Sequence, residues 1–529
     1  MSVLNQLRMY LRFASGLREF LKEPMTIQQS REIIKHRLEN RERNLLTIVK
    51  RAIYENENSP YLKLLSLAGC EYGDFERLVQ TEGIEPTLRK LCQEGVYISI
   101  EEFKGKKEAR RGGKTFEFKE NDFDNPFLLQ HLQTSSSGSR WVGTRTVYDF
   151  EYLALGRAIY TVFLLDAYDA LDIPIVLWLP IMPGAGPHQV LQHTKAGNLP
   201  AKWFSPVTMS GFKPSLKNRI GTNYIVYVAR FWGTKLPLPE YVKTDEAWRV
   251  AQWIADAINE QGGCYVHTNP SKAVATCQAA KERGVDVASA KFCIGAEPIT
   301  KMKRQEIEST GASVCPRYVF TEGGYVGLGC FHPSAPDDVH FFKDSLALVQ
   351  HKRKVHGAGL EVDAFLFTSL LLSAPKILLN VEIGDYGIIE SRSCGCKFEE
   401  LGLTDHIHGI RSFDKLTSHG MTFWGIDLIR IIEEVLPAKF GGTSIDYQMF
   451  EEEDEKGHTH MSIIVRPEVG EIDETGLIKT ILTEISKGDD TYRMMADVWS
   501  QAKILRVKRM RPLDTVGGKL LPLHFLKDD

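Results

Sequence analysis

Apolar residues recur at helical spacing in the N-terminal part of the chain. The pattern predicts an amphipathic helix over residues 3–22 and further helix over residues 41–55. The apolar positions of the first helix are Leu4, Leu7, Leu11, Leu17 and Leu21. Arginines lie between these leucines, and we expect the helix to pack on the surface of a domain rather than to bind a membrane or a partner.

From Val147 onward, apolar runs of strand length alternate with amphipathic helices. Ile173–Leu179 and Tyr224–Phe231 have the length and composition of buried strands. The stretch Pro183–Pro214 between them is rich in glycine and proline, and we expect it to be irregular.

The same alternation continues in the middle of the chain. One helix is predicted between Asp245 and Gly262 and another between Ser271 and Gly284, and Phe292–Ile294 has the pattern of a strand. Strands that alternate with helices predict an α/β fold with helices covering the sheets. Ligands are then expected at loops beyond the strand ends.

The pattern changes again after about residue 410. Strands are predicted over residues 444–450 and 458–466, and a helix over residues 474–487, which together indicate a small α+β unit. A chain of 529 residues is also too long for one ordinary core. We therefore expect a large multi-sheet N-terminal domain, residues 1–410 with an extra helical segment at 1–40, and a small C-terminal domain, residues 411–529.

Composition and charge narrow the class of protein. The net charge is −3, with 43% hydrophobic and 25% charged residues, which argues against nucleic acid as the main partner. The N-terminus lacks the apolar core and cleavage site of a signal peptide. The longest apolar run, residues 364–383, contains Pro375, Lys376, Asn380 and Glu382 and is too polar for a membrane span. We expect a cytoplasmic protein with no membrane partner. A homodimer is one possible oligomeric state.

Five short segments carry candidate chemistry for nucleotide binding. They are Thr134–Ser139 (TSSSGS), Gly295–Pro298 (GAEP), Tyr318–Glu322 (YVFTE), Val381–Asp385 (VEIGD) and Gly517–Lys519 (GGK). A serine-rich turn that contains glycine lets backbone N–H groups approach phosphate oxygens closely. A carboxylate supplies the hard oxygen ligand that Mg²⁺ prefers. Each segment taken alone is also common in surface loops and at strand ends.

In this order, the five segments resemble the phosphate loop, nucleotide-binding motifs and catalytic lysine of the adenylate-forming (ANL, acyl-CoA synthetase) superfamily. The resemblance is closest to the phenylacetate-CoA ligase branch and covers about Asn44 to Leu520. Val49–Tyr61 (VKRAIYENENSPY) and Arg411–Trp424 (RSFDKLTSHGMTFW) resemble the same branch. The resemblance implies a large adenylating domain and a mobile C-terminal lid domain that pivots at Asp414.

The resemblance also implies roles for individual residues. The implied phosphate loop consists of Ser136, Ser137, Gly138 and Ser139, and the implied adenine turn of Gly295, Ala296, Glu297 and Pro298. Tyr318 would pack on adenine, Thr321 would contact the α-phosphate and Glu322 would bind Mg²⁺. Asp385 would accept hydrogen bonds from the ribose hydroxyls.

The resemblance implies roles in binding and catalysis for two further residues, and it also implies a reaction. Arg411 would contact the ribose or a phosphate, and Lys519 would close on the acid and the α-phosphate. The implied reaction activates a small, aromatic carboxylic acid with ATP as an acyl-AMP and transfers the acyl group to CoA. His188 is expected either as a polar group of the acyl pocket or as a loop residue.

Two alternatives stay open for the function. The first is an amide synthetase that transfers the acyl group to an amine instead of CoA. The second is a degenerate relative that binds a nucleotide or acyl ligand without turnover. Arg140, Val319 and Phe413 depart from the family pattern and motivate the second alternative. The retained Glu322, Asp385 and Lys519 argue against it.

The cysteines suggest a separate metal site. Nine cysteines scattered over a long chain argue against a disulfide framework. Cys394 and Cys396 form a C-x-C pair, and Cys330 and the nearby histidines could complete a tetrahedral zinc site. Some phenylacetate-CoA ligase relatives carry such a structural zinc site, and His340 fits their pattern better than His332. Free buried thiols are the alternative.

Overall fold

The computed structural model describes most of the chain. The described residues are 3–129, 132–135, 145–182, 184–206, 216–243, 246–296, 299–354, 361–412, 417–418, 421–422, 428–453, 459–487, 496, 500, 505–514, 520 and 522–524.

The helices α1–α17 are, in chain order, Val3–Lys22, Ile27–Glu39, Arg41–Ile48, Pro60–Leu67, Tyr72–Glu82, Ile84–Gln93, Ile100–Phe103, Ile159–Ala167, Gly186–Lys195, Leu216–Phe231, Ala247–Gln261, Pro270–Arg283, Lys301–Glu308, Lys397–Glu400, Leu428–Arg430, Leu436–Phe440 and Glu474–Ser486. Three π-helical segments adjoin them, Val49–Tyr54, Tyr152–Ala158 and Ile431–Val435.

The strands β1–β22 are Ala109–Arg111, Lys114–Phe116, Leu132–Ser135, Arg145–Tyr148, Ile175–Trp178, Lys202–Ser205, Glu240–Tyr241, Cys264–Thr268, Ala290–Gly295, Ser313–Phe320, Gly324–Leu328, Val339–Phe341, Leu346–Lys354, Glu361–Ser369, Val381–Ser391, Asp405–Ser412, Thr417–Ser418, Met421–Thr422, Tyr447–Glu453, Thr459–Val465, Leu505–Arg509 and Leu523–His524. The predicted α/β fold is confirmed.

Local signals explain why several predicted helices form where they do. Helix α12 begins after Asn269, whose side chain accepts a hydrogen bond from the Lys272 N–H, with Pro270 in its first turn. It ends at Gly284, which adopts the left-handed conformation that glycine allows (φ 66°). On α1, Phe13, Leu17 and Phe20 are buried, which confirms that this helix packs on the domain.

Two sequence expectations are wrong. Tyr224–Phe231 belongs to helix α10 and is not a strand, because its buried and exposed residues follow the helical period. Ile225 and Ala229 are buried, whereas Tyr227 and Phe231 are exposed. A short apolar run does not by itself distinguish a strand from a helix.

The stretch expected to be irregular, residues 183–214, contains helix α9 and strand β6. Pro187 lies in the first turn of α9, where a proline is compatible with a helix. His188 therefore lies on a helix and not in a loop, and its side chain is buried.

The described strands of the N-terminal part form one 12-stranded sheet and two-stranded ribbons. The strand order in the large sheet is β13-β14-β15-β16-β12-β11-β10-β9-β8-β5-β6-β7. The strands from β10 to β7 are parallel, and those from β10 to β13 are antiparallel. All five residues of β8 are buried, as expected for a parallel strand covered on both faces.

The antiparallel part of the sheet must curl strongly. Four strand spacings of about 4.8 Å would separate β10 from β15 by roughly 19 Å in a flat sheet. The hydroxyl of Tyr318 on β10 nevertheless lies 2.9 Å from Oδ2 of Asp385 on β15. The ring of Phe320 on β10 also lies 5.0 Å from that of Phe367 on β14. The curl therefore brings segments that are distant in the strand order to one place.

The C-terminal part has its own hydrophobic core. Strands β21-β20-β19-β22 form a four-stranded sheet that packs with α17, and the core residues run from Leu428 to Leu523. Strand β16, which ends at Ser412, pairs with β15 of the large sheet. The boundary at residue 411 stays a prediction. Among the described residues, none of the helices has the length and apolar character that a bilayer crossing requires.

A buried ion pair joins the two parts. Lys303 on α13 and Glu433 in the π-helical segment are 2.7 Å apart, with side chains 2% and 1% exposed. Replacing Lys303 with methionine leaves a buried carboxylate without its partner, and we expect a loss of about 3–5 kcal/mol. Thermal unfolding should show a lower midpoint for Lys303→Met, and Glu433→Leu added to it should recover most of the loss.

Lys352 provides a matched control for this prediction. Its pair with Asp363 is exposed, so Lys352→Met should cost less than about 1 kcal/mol. Equal effects of the two methionine variants would contradict the stabilising role of the buried pair.

Candidate functional site

Tyr318 and Asp385 form the centre of the candidate site. They lie in two of the predicted nucleotide-binding segments, and the Tyr318 hydroxyl donates a hydrogen bond to Asp385 Oδ2 at 2.9 Å. Burial, and then the Asp385 carboxylate, raise the pKa of Tyr318 well above its usual value. The phenol therefore stays protonated and keeps donating to the carboxylate. Asp385 lies within β15, at the position opposite Ser412 of β16.

Thr321 and Glu322 lie in the turn between β10 and β11, directly after the end of β10 at Phe320. The carbonyl of Thr321 accepts a hydrogen bond from the Tyr148 hydroxyl at 3.0 Å. Glu322 is 7% exposed, and its Oε1 lies 3.1 Å from Nζ of Lys104. A buried carboxylate is thus paired with a lysine ammonium at the tip of the hairpin, where a metal cation could take the place of the ammonium.

The turn after β9 lies next to this hairpin. Gly295 is the register partner of Arg317 on β10, and a Cβ added at Gly295 would lie 2.7 Å from the Arg317 carbonyl oxygen. Glycine is therefore required for the close approach of these strands. Ala296 follows with φ 70°, a left-handed conformation that is rare for a residue with a side chain. Glu297 and Pro298 lie outside the described residues.

The predicted phosphate loop connects strands β3 and β4. Ser136, Ser137, Gly138 and Ser139 lie outside the described residues, but both strands that lead to them are described. Ser135 pairs with Arg145 at one end of this ribbon and Leu132 with Tyr148 at the other. Tyr148 contacts Thr321, so the loop begins about 10 Å along the ribbon from that contact.

The predicted catalytic lysine also lies outside the described residues, as does Asp414. Its neighbour Leu520 is described, and the Leu520 carbonyl accepts a hydrogen bond from the Ser271 hydroxyl at 3.0 Å. Ser271 is in the first turn of α12, which follows β8. Because the carboxyl ends of parallel strands meet at one edge of a sheet, this contact brings residue 520 to the edge that carries Gly295.

Arg411 does not join Tyr318 and Asp385. It lies opposite Tyr386 on β15, one position away from Asp385, and neighbouring residues of a strand point to opposite faces. Its Nη1 lies 3.4 Å from Oδ2 of Asp337, which also accepts hydrogen bonds from the backbone N–H groups of Gly409 and Ile410. Nucleotide binding by Arg411 stays a prediction.

The four predicted zinc ligands lie together. The ligand atoms of Cys330, His340, Cys394 and Cys396 are all within 4.8 Å of one another. His340 Nε2 lies 3.1 Å from Cys396 Sγ and 3.6 Å from Cys394 Sγ. His340 Nδ1 lies 2.7 Å from the Leu403 carbonyl, so it carries the proton and leaves Nε2 facing the thiols. This is the orientation that a zinc-binding histidine requires.

Sequence reasoning missed two residues that hold the hairpin. Lys104 pairs with Glu322 across 218 positions of sequence, and Tyr148 positions Thr321 across 173. Neither belongs to a recognisable motif. The only signal for Tyr148 was its place just after the predicted phosphate loop.

No protein-family model matches the chain, and no curated protein does. Several solved structures resemble it, among them the following three. The anthranilate CoA ligase AuaEII in complex with anthranoyl-AMP has 13% identity and a TM-score of 0.42, over 74% of this chain and 66% of that one. The amide bond synthetase McbA from Marinactinospora thermotolerans has 11% identity and a TM-score of 0.37, over 74% and 67%. MenE from E. coli, with a bound analogue of OSB-AMS, has 11% identity and a TM-score of 0.33, over 74% and 73%.

The chain thus spans just under two thirds of the length of the first of these structures. With identities of 11–13% and TM-scores below 0.5, these likenesses decide neither the family nor the reaction of this chain.

The left-handed residue in the turn after β9 gives a testable prediction. Ala296→Gly should stabilise the ligand-free protein by roughly 1 kcal/mol, because glycine adopts this conformation without a Cβ clash. Ala290→Gly, at the start of the same strand, should instead destabilise it, because it removes a buried methyl group and adds chain entropy. Thermal unfolding of the two variants measures both effects. A lower midpoint for Ala296→Gly would contradict the backbone strain.

Proposed function

We propose that this chain is an adenylate-forming ligase, which activates a small carboxylic acid with ATP as an acyl-AMP and then transfers the acyl group. The proposal includes membership of the adenylate-forming superfamily, closest to the phenylacetate-CoA ligase branch. CoA is the acceptor that we propose, with an amine as the alternative that the test below distinguishes.

The hydrogen bond between Tyr318 and Asp385 supports this proposal most strongly. The two residues belong to separate sequence segments, and the family resemblance implies contact with adenine for one and with ribose for the other. They lie 67 positions apart in sequence and 2.9 Å apart in space. The contacts described above connect three further segments to the same edge of the large sheet. They are the Thr321–Glu322 turn, the Gly295 turn and Leu520. One nucleotide could therefore reach all of these segments.

In the proposed first step, a carboxylate oxygen of the acid attacks the α-phosphorus of ATP. A P–O bond forms, the bond to the β-phosphate oxygen breaks, and pyrophosphate leaves. The carboxylate is already ionised at neutral pH, so no general base is needed. The protein contributes by positioning the reactants and by stabilising the charge that develops at the α-phosphate. Tyr318 and Asp385 would hold the nucleoside, and the Lys519 ammonium would approach the α-phosphate.

Glu322 has the properties of a Mg²⁺ ligand. It is a largely buried carboxylate that forms an ion pair with the Lys104 ammonium. When bound, Mg²⁺ would neutralise part of the phosphate charge. Lys104 would then be released to pair with a phosphate oxygen or to move into solvent.

We also propose that Cys330, His340, Cys394 and Cys396 hold a structural zinc ion. Cys330, the C-x-C pair and an oriented imidazole supply four ligands of the kind that tetrahedral zinc prefers. Glu399 accepts hydrogen bonds from the backbone N–H groups of Cys394 and Gly395 and so fixes the C-x-C loop. Four protein ligands leave no open position for a substrate.

Acid-dependent exchange of radiolabelled pyrophosphate into ATP tests the function. With a panel of aryl and alkyl acids, at least one acid should stimulate exchange by the wild-type protein. Lys519→Ala should lower the exchange rate by about 100-fold or more, since it removes a cation from the developing charge. Lys479→Ala, which changes an exposed lysine of the same C-terminal part, should leave the rate unchanged.

The acceptor is identified by adding CoA or a set of amines to the active mixture and weighing the products. A thioester would support the CoA ligase, and an amide would support the alternative. Failure of every acid to stimulate exchange would favour a protein that binds nucleotide without turnover.

Metal analysis tests the zinc proposal. The purified wild-type protein should contain about one zinc ion per chain, and Cys396→Ser should lose most of it because one thiolate ligand is removed. Cys277→Ser changes a buried cysteine outside the cluster and should keep the metal. Wild-type protein without zinc, prepared in the absence of chelators, would contradict the proposal.

A further inference from the structure

A buried polar cluster lies behind the β10–β11 hairpin, and the proposed reaction does not use it. We call it the arginine cluster. Its members are Arg157, His188, Gln189, Gln192, His193, His267 and Arg317, and each is buried. They come from the π-helical segment before α8, from α9, and from strands β8 and β10. Of these residues, only His188 is a candidate site residue from the sequence alone.

Two guanidinium groups converge in this cluster. Arg157 is 2% exposed and Arg317 is 8% exposed. With its carboxamide oxygen facing both, Gln189 accepts hydrogen bonds from Arg157 Nη2 and Arg317 Nη1, each at 3.2 Å. Arg157 Nε donates to Gln192 at 3.0 Å, and its guanidinium lies 5.2 Å from the centre of the Tyr325 ring. Two positive charges thus share one neutral amide oxygen.

Neither guanidinium forms an ion pair with a carboxylate in the part of the chain that the structure describes. Arg317 interacts instead with the phenol of Tyr325 and the thiol of Cys293, and its Nε has no hydrogen-bond partner among the described residues. Arginine cannot lose its charge by deprotonation in a protein. Burying two such charges without an anion is strongly unfavourable, so the cluster is suited to bind one.

The surrounding histidines supply neutral donors and acceptors. Burial, followed by the charge of Arg317, lowers the pKa of His193 to about 3. Burial, with Arg157 and Arg317, lowers the pKa of His188 well below its usual value. The imidazoles are therefore uncharged at neutral pH. His193 Nδ1 and His267 Nε2 are buried and have no partner within the described residues.

The arginine cluster adjoins the proposed nucleotide site. Arg317 directly precedes Tyr318, and its Nε lies 3.2 Å from where a Cβ on Gly295 would be. The ring of Tyr148, which positions Thr321, lies 5.8 Å from that of His188. The Arg157 guanidinium lies 5.6 Å from the centre of the same Tyr148 ring. Tyr148 therefore connects the arginine cluster to the Thr321–Glu322 turn. A small acid that extends from the α-phosphate into this region would meet the guanidinium groups.

We propose that Arg157 and Arg317 bind a second carboxylate of the acid substrate, so that the protein activates one carboxyl group of a dicarboxylic acid. This inference rests on the proposed function and specifies its substrate class. The two guanidinium groups would take the carboxylate that is not activated, with Gln189 released from them or retained beside it. A planar guanidinium fits a carboxylate through paired N–H···O bonds.

Matched acids test this inference. The probes are benzene dicarboxylates and aliphatic dicarboxylates of four to six carbons, each compared with its monomethyl ester, which keeps the shape but removes one charge. In pyrophosphate exchange, the preferred diacid should exceed its half-ester by about 100-fold in kcat/KM. Arg317→Gln and Arg157→Gln should each remove most of this preference, while Arg317→Lys should keep part of it. Arg283→Gln, at an exposed position, should change nothing.

Two further measurements separate the possible failures. Calorimetry with the diacid alone should show binding that Arg317→Gln abolishes, and this result would stand even if no acid supported exchange and the proposed function failed. Exchange with monocarboxylic acids but equal rates for diacids and half-esters would overturn the dicarboxylate inference and leave the proposed function intact.

The stability of the ligand-free variants checks the charge argument. Removing an uncompensated buried charge should raise the thermal midpoint of Arg317→Gln. If Arg317→Gln and Glu297→Gln both lowered it, Glu297 would be the partner of Arg317, and the inference would be overturned.

Discussion

The curl of the antiparallel half of the sheet is the constraint on which the candidate site depends. Without it, β10 and β15 would be separated by β11, β12 and β16. The curl lets the Tyr318 phenol reach the Asp385 carboxylate, and both groups are held by strands rather than by loops. Residues that are fixed on strands keep their mutual distance before any ligand arrives, which reduces the ordering that binding requires.

The two faces of β10 have different chemistry. Tyr318 and Phe320 pack against the core beneath β13–β15, and Cys315 belongs to the other core, which also contains Tyr325 and Tyr265. Arg317 projects into this second core, where apolar and aromatic residues surround the buried charges. In such surroundings, water screens charge poorly, so an anion would interact strongly with the guanidinium groups. The same apolar and aromatic residues would exclude anions whose size or shape does not match the space beside the guanidinium groups.

Short-range patterns in the sequence predicted many of the elements, whereas the set of four cysteine and histidine ligands that lie together in the structure was implied by the family resemblance. Helix α12 and strand β20 follow from caps and alternation that are visible locally. The arginine cluster was not predicted, although Arg157 within an otherwise apolar helical stretch was a signal. The pairing of Lys104 with Glu322 depends on the tertiary fold, because 218 residues separate them. Tyr224–Phe231 was misassigned because its exposed aromatic residues have the composition of a strand.

The contact between Lys303 and Glu433 is a buried ion pair between the two parts of the chain. When an apolar interface opens, each exposed methylene group costs free energy that hydration does not offset. When an ion pair opens, each ion recovers its hydration, which offsets much of the lost attraction. An interface held by an ion pair can therefore fix one relative orientation of its two sides, while hydration of the separated ions lowers the free energy needed to open it.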